Sequence, residues 1–316
     1  MNNNRLSTIE KTVDIIQYLE ASGPTRLGVI AGELKMNSST VHHHLSTLEH
    51  AGLVTSVDGT YTVTRSRTAE RHSIYSLDLF DLLSDGEEHL VDAIADQLDL
   101  DQPSVARMVT NYEQRGYVTE TDDGAYRIGL RFLELGGFRR NQMPIYRMGK
   151  ERIDMLATET GELANLVIEE NGLGVYLYQA MGEGSANLDT YVGKRTPLHQ
   201  TAFGKAILSQ MPRERILAII DRHGLSSATD NTITEVESLF ERLETIRERG
   251  FAYDDEERLQ GLRCVAAPVT DETDTVIGAV SVAAPVSRMR EDRYHDTLPE
   301  RVLSTVNLIE LDVNYA

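Results

Sequence analysis

The sequence predicts an α+β protein with two tandem winged helix-turn-helix domains ahead of a larger domain built on an antiparallel sheet. Three observations predict it: an internal repeat in the first 137 residues, a helix–turn–helix–hairpin pattern inside each copy, and mixed strands and helices thereafter. A length of 316 residues suits two or three domains of ordinary size.

The repeat is visible residue by residue. Ile30, Ala31 and Leu34 recur 64 positions later as Ile94, Ala95 and Leu98. The same step relates Val41 to Val105, Glu49 to Glu113, Gly52 to Gly116 and Val54 to Val118. One extra residue after Asp122 then brings Tyr61 into register with Tyr126. A gap-free register across three helical segments reads as a duplication.

In the first copy (1–66), Val13, Ile16 and Leu19 follow helical spacing and mark the first helix. Leu27, Ile30, Ala31 and Leu34 give a short second helix, and Lys35-Met36-Asn37 is the turn. Asn37 or Ser38 caps the third helix. That helix turns Val41, Leu45 and Leu48 inward, which leaves Ser38, Ser39, Thr40, His42 and His43 outward and His44 on its flank. Gly52 supplies the C-terminal stop. Asp58-Gly59 between 53–55 and 61–63 signals a two-stranded wing.

In this motif the N-terminal part of the third helix enters the major groove of double-stranded DNA. Short hydroxyl side chains there reach phosphates or base edges without holding the helix away. The three adjacent histidines point about 100° apart on a helix, so they do not converge on one metal ion.

The second copy (67–137) offers Gln102, Ser104 and Arg107 at the equivalent positions, with Pro103 suited to a first helical turn. Asp99 and Asp101 would approach phosphates. Residues 67–140 carry 8 basic and 15 acidic side chains against 5 and 6 in residues 1–66, so the second copy is the less prepared for DNA. Its use as a spacer or dimerisation module stays open.

Composition narrows the class further. Fifty acidic residues against 31 basic ones give a net charge of −19, and only five of the basic residues are lysines. An acidic, lysine-poor chain of this kind fits a halophilic cytoplasm, where molar salt screens exposed charge within about 3 Å. No run of 18 apolar residues and no signal-peptide core is present, so the expectation is a cytoplasmic protein without a membrane partner. Cys264 is the only cysteine, which excludes an internal disulfide and a multi-thiolate zinc site.

After a linker helix over 138–157, the domain 158–316 shows strand patterns at 165–169, 174–179, 188–192, 251–254, 263–269 and 276–284. Helical patterns fall at 201–210, 213–223, 235–249 and 301–312. His199 near Gly204-Lys205 is not a phosphate loop, because His199 stands where a glycine is needed and Ala206 where Ser or Thr is needed. No nucleophile–base pair is visible, so an enzyme is not expected.

From residue 110 to 313 the chain resembles the isocitrate lyase regulator (IclR) family of transcription factors, and the first copy resembles the DNA-binding domain of that family. The segments that carry the resemblance are Gly124–Gly129, Leu133–Gly136, Thr196–His199, Thr201–Ala206, Thr232–Thr234, Arg247–Ala252, Asp254–Glu257, Gly261–Val269 and Val280–Val282, with Pro285 and Ser287-Arg288. The departure is the second winged helix, since such regulators normally carry one.

The resemblance implies a GAF-like effector-binding domain, a homodimer or homotetramer, and a pocket for a small organic or aromatic acid with no cofactor. Carried across the matched motifs, the pocket positions are Ala202 and Phe203 at a helix start, Asp254, Cys264, Ser281 and Ala283 on strands, and Leu188 more loosely. Helix N-terminal amides stabilise a carboxylate, Ser281 donates a hydrogen bond, and Phe203 and Leu188 form an apolar wall. Cys264 reads as a small buried hydrophobe rather than a nucleophile. The rest of the Asp254–Glu257 run reads as solvated surface.

Overall fold

The computed structural model describes residues 3–50, 53–63, 67–185 and 190–315, and its contacts gather into two units, 1–131 and 132–316. The first unit opens with α1 (Asn3–Ser22), β1 (Thr25–Arg26), α2 (Leu27–Glu33), α3 (Ser38–His50), β2 (Val54–Val57) and β3 (Thr60–Val63). Periodicity explains the helices: Ile15, Leu19, Ile30, Ala31, Val41, Leu45, Leu48 and Val54 form one buried cluster. Val13, expected inward, is exposed, and Ile15 takes its place on the buried face of α1. The wing turn is where the sequence places it, with Asp58 and Gly59 at φ 50° and 74°, and β2 pairs antiparallel with β3. Gly52 lies outside the described residues.

The same unit continues with α4 (Arg67–Leu82), α5 (Val91–Leu98), α6 (Gln102–Glu113), β4 (Val118–Glu120) and β5 (Tyr126–Ile128). These elements have a core of their own, made by Leu79, Leu83, Ile94, Ala95, Val105, Met108, Val109, Val118 and Tyr126. Lys35 and Asp99, 64 residues apart, both stand in the left-handed region at φ 50° and 53°. Thr25 pairs with Tyr61 in the first sheet, and His89 bridges Tyr126 in the second group.

The second unit contains α7 (Arg131–Asn141, from Phe132), α8 (Pro144–Thr160), β6 (Leu163–Glu170), β7 (Leu173–Met181), β8 (Arg195–Pro197), α9 (Ala202–Ser209), α10 (Arg213–His223), α11 (Val236–Arg249), β9 (Ala252–Asp255), β10 (Leu262–Thr270), β11 (Val276–Pro285) and α12 (Leu298–Asn314). The strands form a six-stranded sheet in the order β8-β7-β6-β11-β10-β9, with every pair antiparallel.

Two differences from the sequence reading concern connections. The expected single linker helix over 138–157 is two helices, broken before Pro144, whose ring and missing N–H suit only a first helical turn. Moreover, α8 is not a free linker, because Ile145, Ile153, Leu156 and Ala157 are buried in the core of the second unit. The strand expected at 188–192 is the other: residues 190–192 are not extended in the sheet, and the edge strand is β8 instead.

Alternation along the strands sorts the two faces. Val265, Ala267 and Val269 on β10, with Val280, Val282 and Ala284 on β11, pack towards α8 and α12. The intervening residues look the other way, where Ala252, Ala266 and Ala279 pack with α9, α10 and α11. The site described next lies on that second face.

Candidate functional site

Two cross-strand rows on the face towards α9 make the floor of a cavity. Register pairs Asp254 with Cys264 and Cys264 with Ala283, which in turn faces Leu163. The adjacent row runs Ala252, Ala266, Ser281, Asn165 and Gln179. Because side chains alternate with period two, all these groups emerge on one side. The start of α9 closes over them with Ala202 and Phe203.

The result is a cavity of about 150 Å³ whose walls include Ala202, Phe203, Asp254, Cys264, Ser281 and Ala283. Six of the seven pocket residues expected from the sequence therefore surround one space. The seventh, Leu188, lies outside the described residues. The volume matches that of an engineered apolar cavity that takes up one benzene molecule, so it suits a small organic ligand.

Sequence reading missed several members of the lining, among them Asn165, Tyr176, Thr190 and Arg258. Asn165 and Thr190 belong to a polar chain. The Gln179 amide donates to Asn165 Oδ1 at 3.0 Å and to Thr190 Oγ1 at 2.8 Å, and Asn165 Nδ2 donates to Ser281 Oγ at 3.1 Å. Ser281 Oγ thus accepts from Asn165, and its own proton is left to donate. Parity of Asn165 and Gln179 on their strands was the available signal.

Arg258 brings the positive charge. Its Nη1 donates to Tyr176 OH at 2.6 Å, and the Tyr176 ring meets Phe203 edge-on at a centroid distance of 5.3 Å. Burial pushes the Tyr176 hydroxyl up to about 12 against the opposing pull of Arg258, so it stays protonated. Phe203 also fills the space over Gly174, where an added Cβ would come within 2.6 Å of its ring.

At the helix start, Thr201 is the N-cap and its Oγ1 accepts from the Gly204 amide at 3.0 Å. The first-turn amides of Ala202 and Phe203 have no helical acceptor. Gly204 permits the close packing of this turn, since a Cβ there would stand 2.1 Å from the Leu198 carbonyl oxygen.

Asp254 is 1% exposed. Burial pushes its carboxyl up to about 6, with Lys205 pulling the other way. Its Oδ1 accepts from the Glu257 amide at 2.8 Å. Desolvation raises the Cys264 thiol well above its usual value, although the residue, expected to be buried, is half-buried at the cavity wall.

One expectation is corrected here. Glu257, read as solvated surface, is buried at 3% exposure and forms an ion pair with the fully buried Lys205. A charge run on an acidic chain is usually solvated; here the turn after β9 carries its last member back under α9.

On α3 the outward set is mostly as expected: Ser38, Ser39, His42 and His43 are exposed and Thr40 is half-buried. Asn37 caps the helix, its Oδ1 accepting from both the Ser39 amide and the Ser39 hydroxyl at 3.0 Å. His44, expected on the flank, is buried and its Nδ1 lies 2.9 Å from Thr12 Oγ1 on α1. Burial pushes its pKa down, aided by the charges of His43 and Lys11.

On α6, Gln102 and Arg107 are exposed. Ser104 is half-buried and spent on the helix cap: its amide and hydroxyl both bond Asp101, at 2.9 and 2.7 Å. Among the described residues, no group of three or more His, Cys, Asp or Glu side chains is placed to hold a metal ion, and no helix is long and apolar enough to cross a membrane.

A helix-turn-helix followed by a wing, together with a separate sheet domain enclosing a small, mainly apolar cavity with a few polar groups, defines a ligand-sensing DNA-binding protein as the class. Comparison with known proteins makes the class specific. Residues 140–310 match the bacterial transcriptional regulator IclR C-terminal domain, and residues 8–58 match the IclR helix-turn-helix domain. The chain belongs to the IclR family of DNA-binding transcriptional regulators, with a C-terminal effector-binding domain; these are regulators, not enzymes.

Among its relatives, a probable HTH-type transcriptional regulator, ArcR, of Halobacterium salinarum is 32% identical over 244 residues, covering 76% of this chain and 93% of the relative. The fold is shared with the Thermotoga maritima IclR crystal structure, at a TM-score of 0.67 and 24% identity over 78% of this chain and all of that one. It is also shared with an IclR homologue of Microbacterium hydrocarbonoxydans crystallised with 4-hydroxybenzoate, at a TM-score of 0.66 and 19% identity over 77% and 98% of the two chains. The helix-turn-helix match covers only the first of the two helical groups.

Proposed function

We propose that this chain is a cytoplasmic, salt-adapted regulator that reads a double-stranded DNA operator through α3 and holds a small organic or aromatic acid in the cavity beneath α9. The observation that carries the effector reading is the convergence of Ser281, Arg258, Tyr176 and the first-turn amides of α9 on one small space. Each donates a hydrogen bond or positive potential, which is the complement of a carboxylate. The Microbacterium homologue with 4-hydroxybenzoate supports an acid as ligand.

The assembly we propose is a homodimer or homotetramer on a pseudo-palindromic operator, because two-fold protein symmetry is mirrored in the DNA. The effector acts by binding two arrangements of the chain with different affinity. The helical group 67–137 is, on this reading, a second winged helix that arose by duplication. In support stand the shared left-handed turn at Lys35 and Asp99, the matching bridges to Tyr61 and Tyr126, and the buried pairs Ile30/Ile94 and Val41/Val105.

Two tests follow directly. Isothermal titration with acids found in a thermal-shift screen should show Ser281→Ala binding about tenfold more weakly than the parent, the cost of one hydrogen bond to a charged ligand. Operator affinity without ligand should stay unchanged, since the cavity and α3 belong to different units. Parental affinity in Ser281→Ala would move the effector elsewhere. For α3, replacing Ser39, Thr40 and His43 together by alanine should relax or abolish operator preference in footprinting; an unaltered footprint would take the reading role away from this helix.

A further inference from the structure

We infer that the groove between α7 and the β6-β7-β8 end of the sheet is a second ligand site, which takes an amphiphilic monocarboxylic acid. The inference stands whether or not the cavity beneath α9 holds an acid.

The groove follows from what α7 leaves uncovered. Register sets Ile168 opposite Val175 and Val175 opposite Arg195, a cross-strand row over β6, β7 and β8. Ile168 and the neighbouring Leu177 pack with the core under α8 and α12, so the row lies on the face of the sheet away from α9. Ile168 and Val175 are nonetheless only half-buried. The helix that borders them, α7, buries no side chain. An added Cβ at Gly136 or Gly137 would meet no atom within 4 Å, so this helix stands off the sheet instead of packing through its glycines.

The space left is about 370 Å³, against about 150 Å³ beneath α9. Tyr176 borders both spaces, with its ring and hydroxyl committed to Phe203 and Arg258 of the first.

Charge selects the ligand. The chain carries a net charge of −19, yet residues 131–152 hold six basic and two acidic side chains. Arg139, Arg140 and Arg195 rim the groove. Arg195 is neutralised by Glu170, the one carboxylate in the lining. Among the described residues, Arg139 and Arg140 have no carboxylate partner. Arg140 lies 4.5 Å over the Tyr146 ring, and its Nη1 reaches only the Leu177 carbonyl, at 3.5 Å. Its Nε is buried without a hydrogen-bond partner. A donor hidden in this way is costly, and a carboxylate on the guanidinium offsets that cost.

Floor and rim together fit one occupant. An alkyl or arylalkyl body covers Ile168, Val175 and Leu177, and its carboxylate meets Arg139 and Arg140. A second carboxylate on the ligand would find Arg195 already paired. A second copy of the chain fits less well, because a two-fold contact would bring the same unpaired arginines face to face.

Titration calorimetry of the full-length chain with sodium decanoate tests the site. Ten carbons are too long for the cavity beneath α9, which suits one benzene-sized body. The parent should bind one decanoate per chain, and the neutral analogue 1-decanol at least about tenfold more weakly. Arg139→Gln combined with Arg140→Gln should weaken decanoate binding by at least about tenfold. Gly137→Leu fills the groove from a point where a side chain meets nothing, and it favours the helix, so it should fold as the parent does and lose decanoate. Ser281→Ala, which touches only the cavity beneath α9, should bind decanoate like the parent.

A parent with no saturable decanoate binding overturns the inference. So does parental affinity in Gly137→Leu, or 1-decanol bound as tightly as decanoate. Loss of binding in Ser281→Ala would place decanoate beneath α9 and overturn it too. A parent that ignores decanoate, with a Gly137→Leu variant of lower oligomeric state in light scattering, would give the groove to a second copy instead.

Discussion

Replacing Lys205 by methionine should cost about 3–5 kcal/mol of stability, the penalty for leaving a buried charge unpaired. Lys205 is fully buried in α9, and its ammonium forms an ion pair with Glu257, which is 3% exposed. Burial lowers the lysine pKa, while Glu257 and then Asp254 raise it, so the pair is held by mutual charge. The only other cation recorded near Glu257 among the described residues is Arg242, 3.5 Å away and half in solvent. Without the lysine, Glu257 keeps only this longer, half-exposed partner.

The carbonyl of Glu257 also anchors Thr232, so the damage should spread to the chain around residues 229–232. Urea unfolding of the full-length chain, followed by tyrosine fluorescence, reads the loss. The double variant Lys205→Met with Glu257→Leu should recover at least half of it, since neither charge is then stranded. A single-variant loss below about 1 kcal/mol would mean that this ion pair is not sealed from water.

The second large effect is on effector affinity as a function of pH. Asp254 lines the cavity with a carboxyl pushed up to about 6 by burial, against the favourable charge of Lys205. An anionic effector binds next to the neutral form and is repelled by the ionised one. Affinity for a carboxylate should therefore be highest below pH 6 and fall on the order of tenfold per unit above it. Asp254→Asn should flatten this profile, because the amide keeps the shape and cannot ionise. Titration calorimetry between pH 5 and 8 on both proteins decides it; a parental profile that is flat or rises with pH would exclude contact between Asp254 and the effector charge.

The same shift has a stability consequence with a definite sign. The folded pKa of about 6 lies above the ordinary carboxyl value of 3.8. The contribution of Asp254 is thus fully present below about pH 3.8 and is lost as pH rises through about 6, in total about 3 kcal/mol. Above that window Asp254→Asn should be the more stable protein.

Much of the fold was legible in local patterns. The helices at 202–209, 213–223 and 236–249 follow apolar spacing, and their stops at Gly224 and Gly250 have positive φ. The resemblance put Cys264, Ser281 and Ala283 in one pocket, and the pairing of Cys264 with Ala283 shows why they share a face. The cavity members carried over from family motifs fell together because those motifs sit at the same points of the sheet register.

The misses have a common cause. Arg258 reaches Tyr176 across 82 residues, Asn165 reaches Ser281 across 116, and His44 reaches Thr12 across 32. Strand parity marks the face of Asn165, but none of these pairings leaves its partner's identity in the local pattern. The first part of α7, before residue 138, was missed for a different reason: the helix buries no side chain, so it has no apolar stripe of the kind that marks a packed helix.

By itself the sequence determined where the backbone turns and which helical and strand faces are apolar, because these depend on neighbours within a few residues. Only the tertiary structure decided which polar groups are buried. The order β8-β7-β6-β11-β10-β9 brings strands distant in the chain side by side, and α9 covers them. Glu257 and Lys205 are charged residues in the sequence and a sealed pair in the fold. The cost of hiding charge from water is offset only by a partner that folding itself delivers.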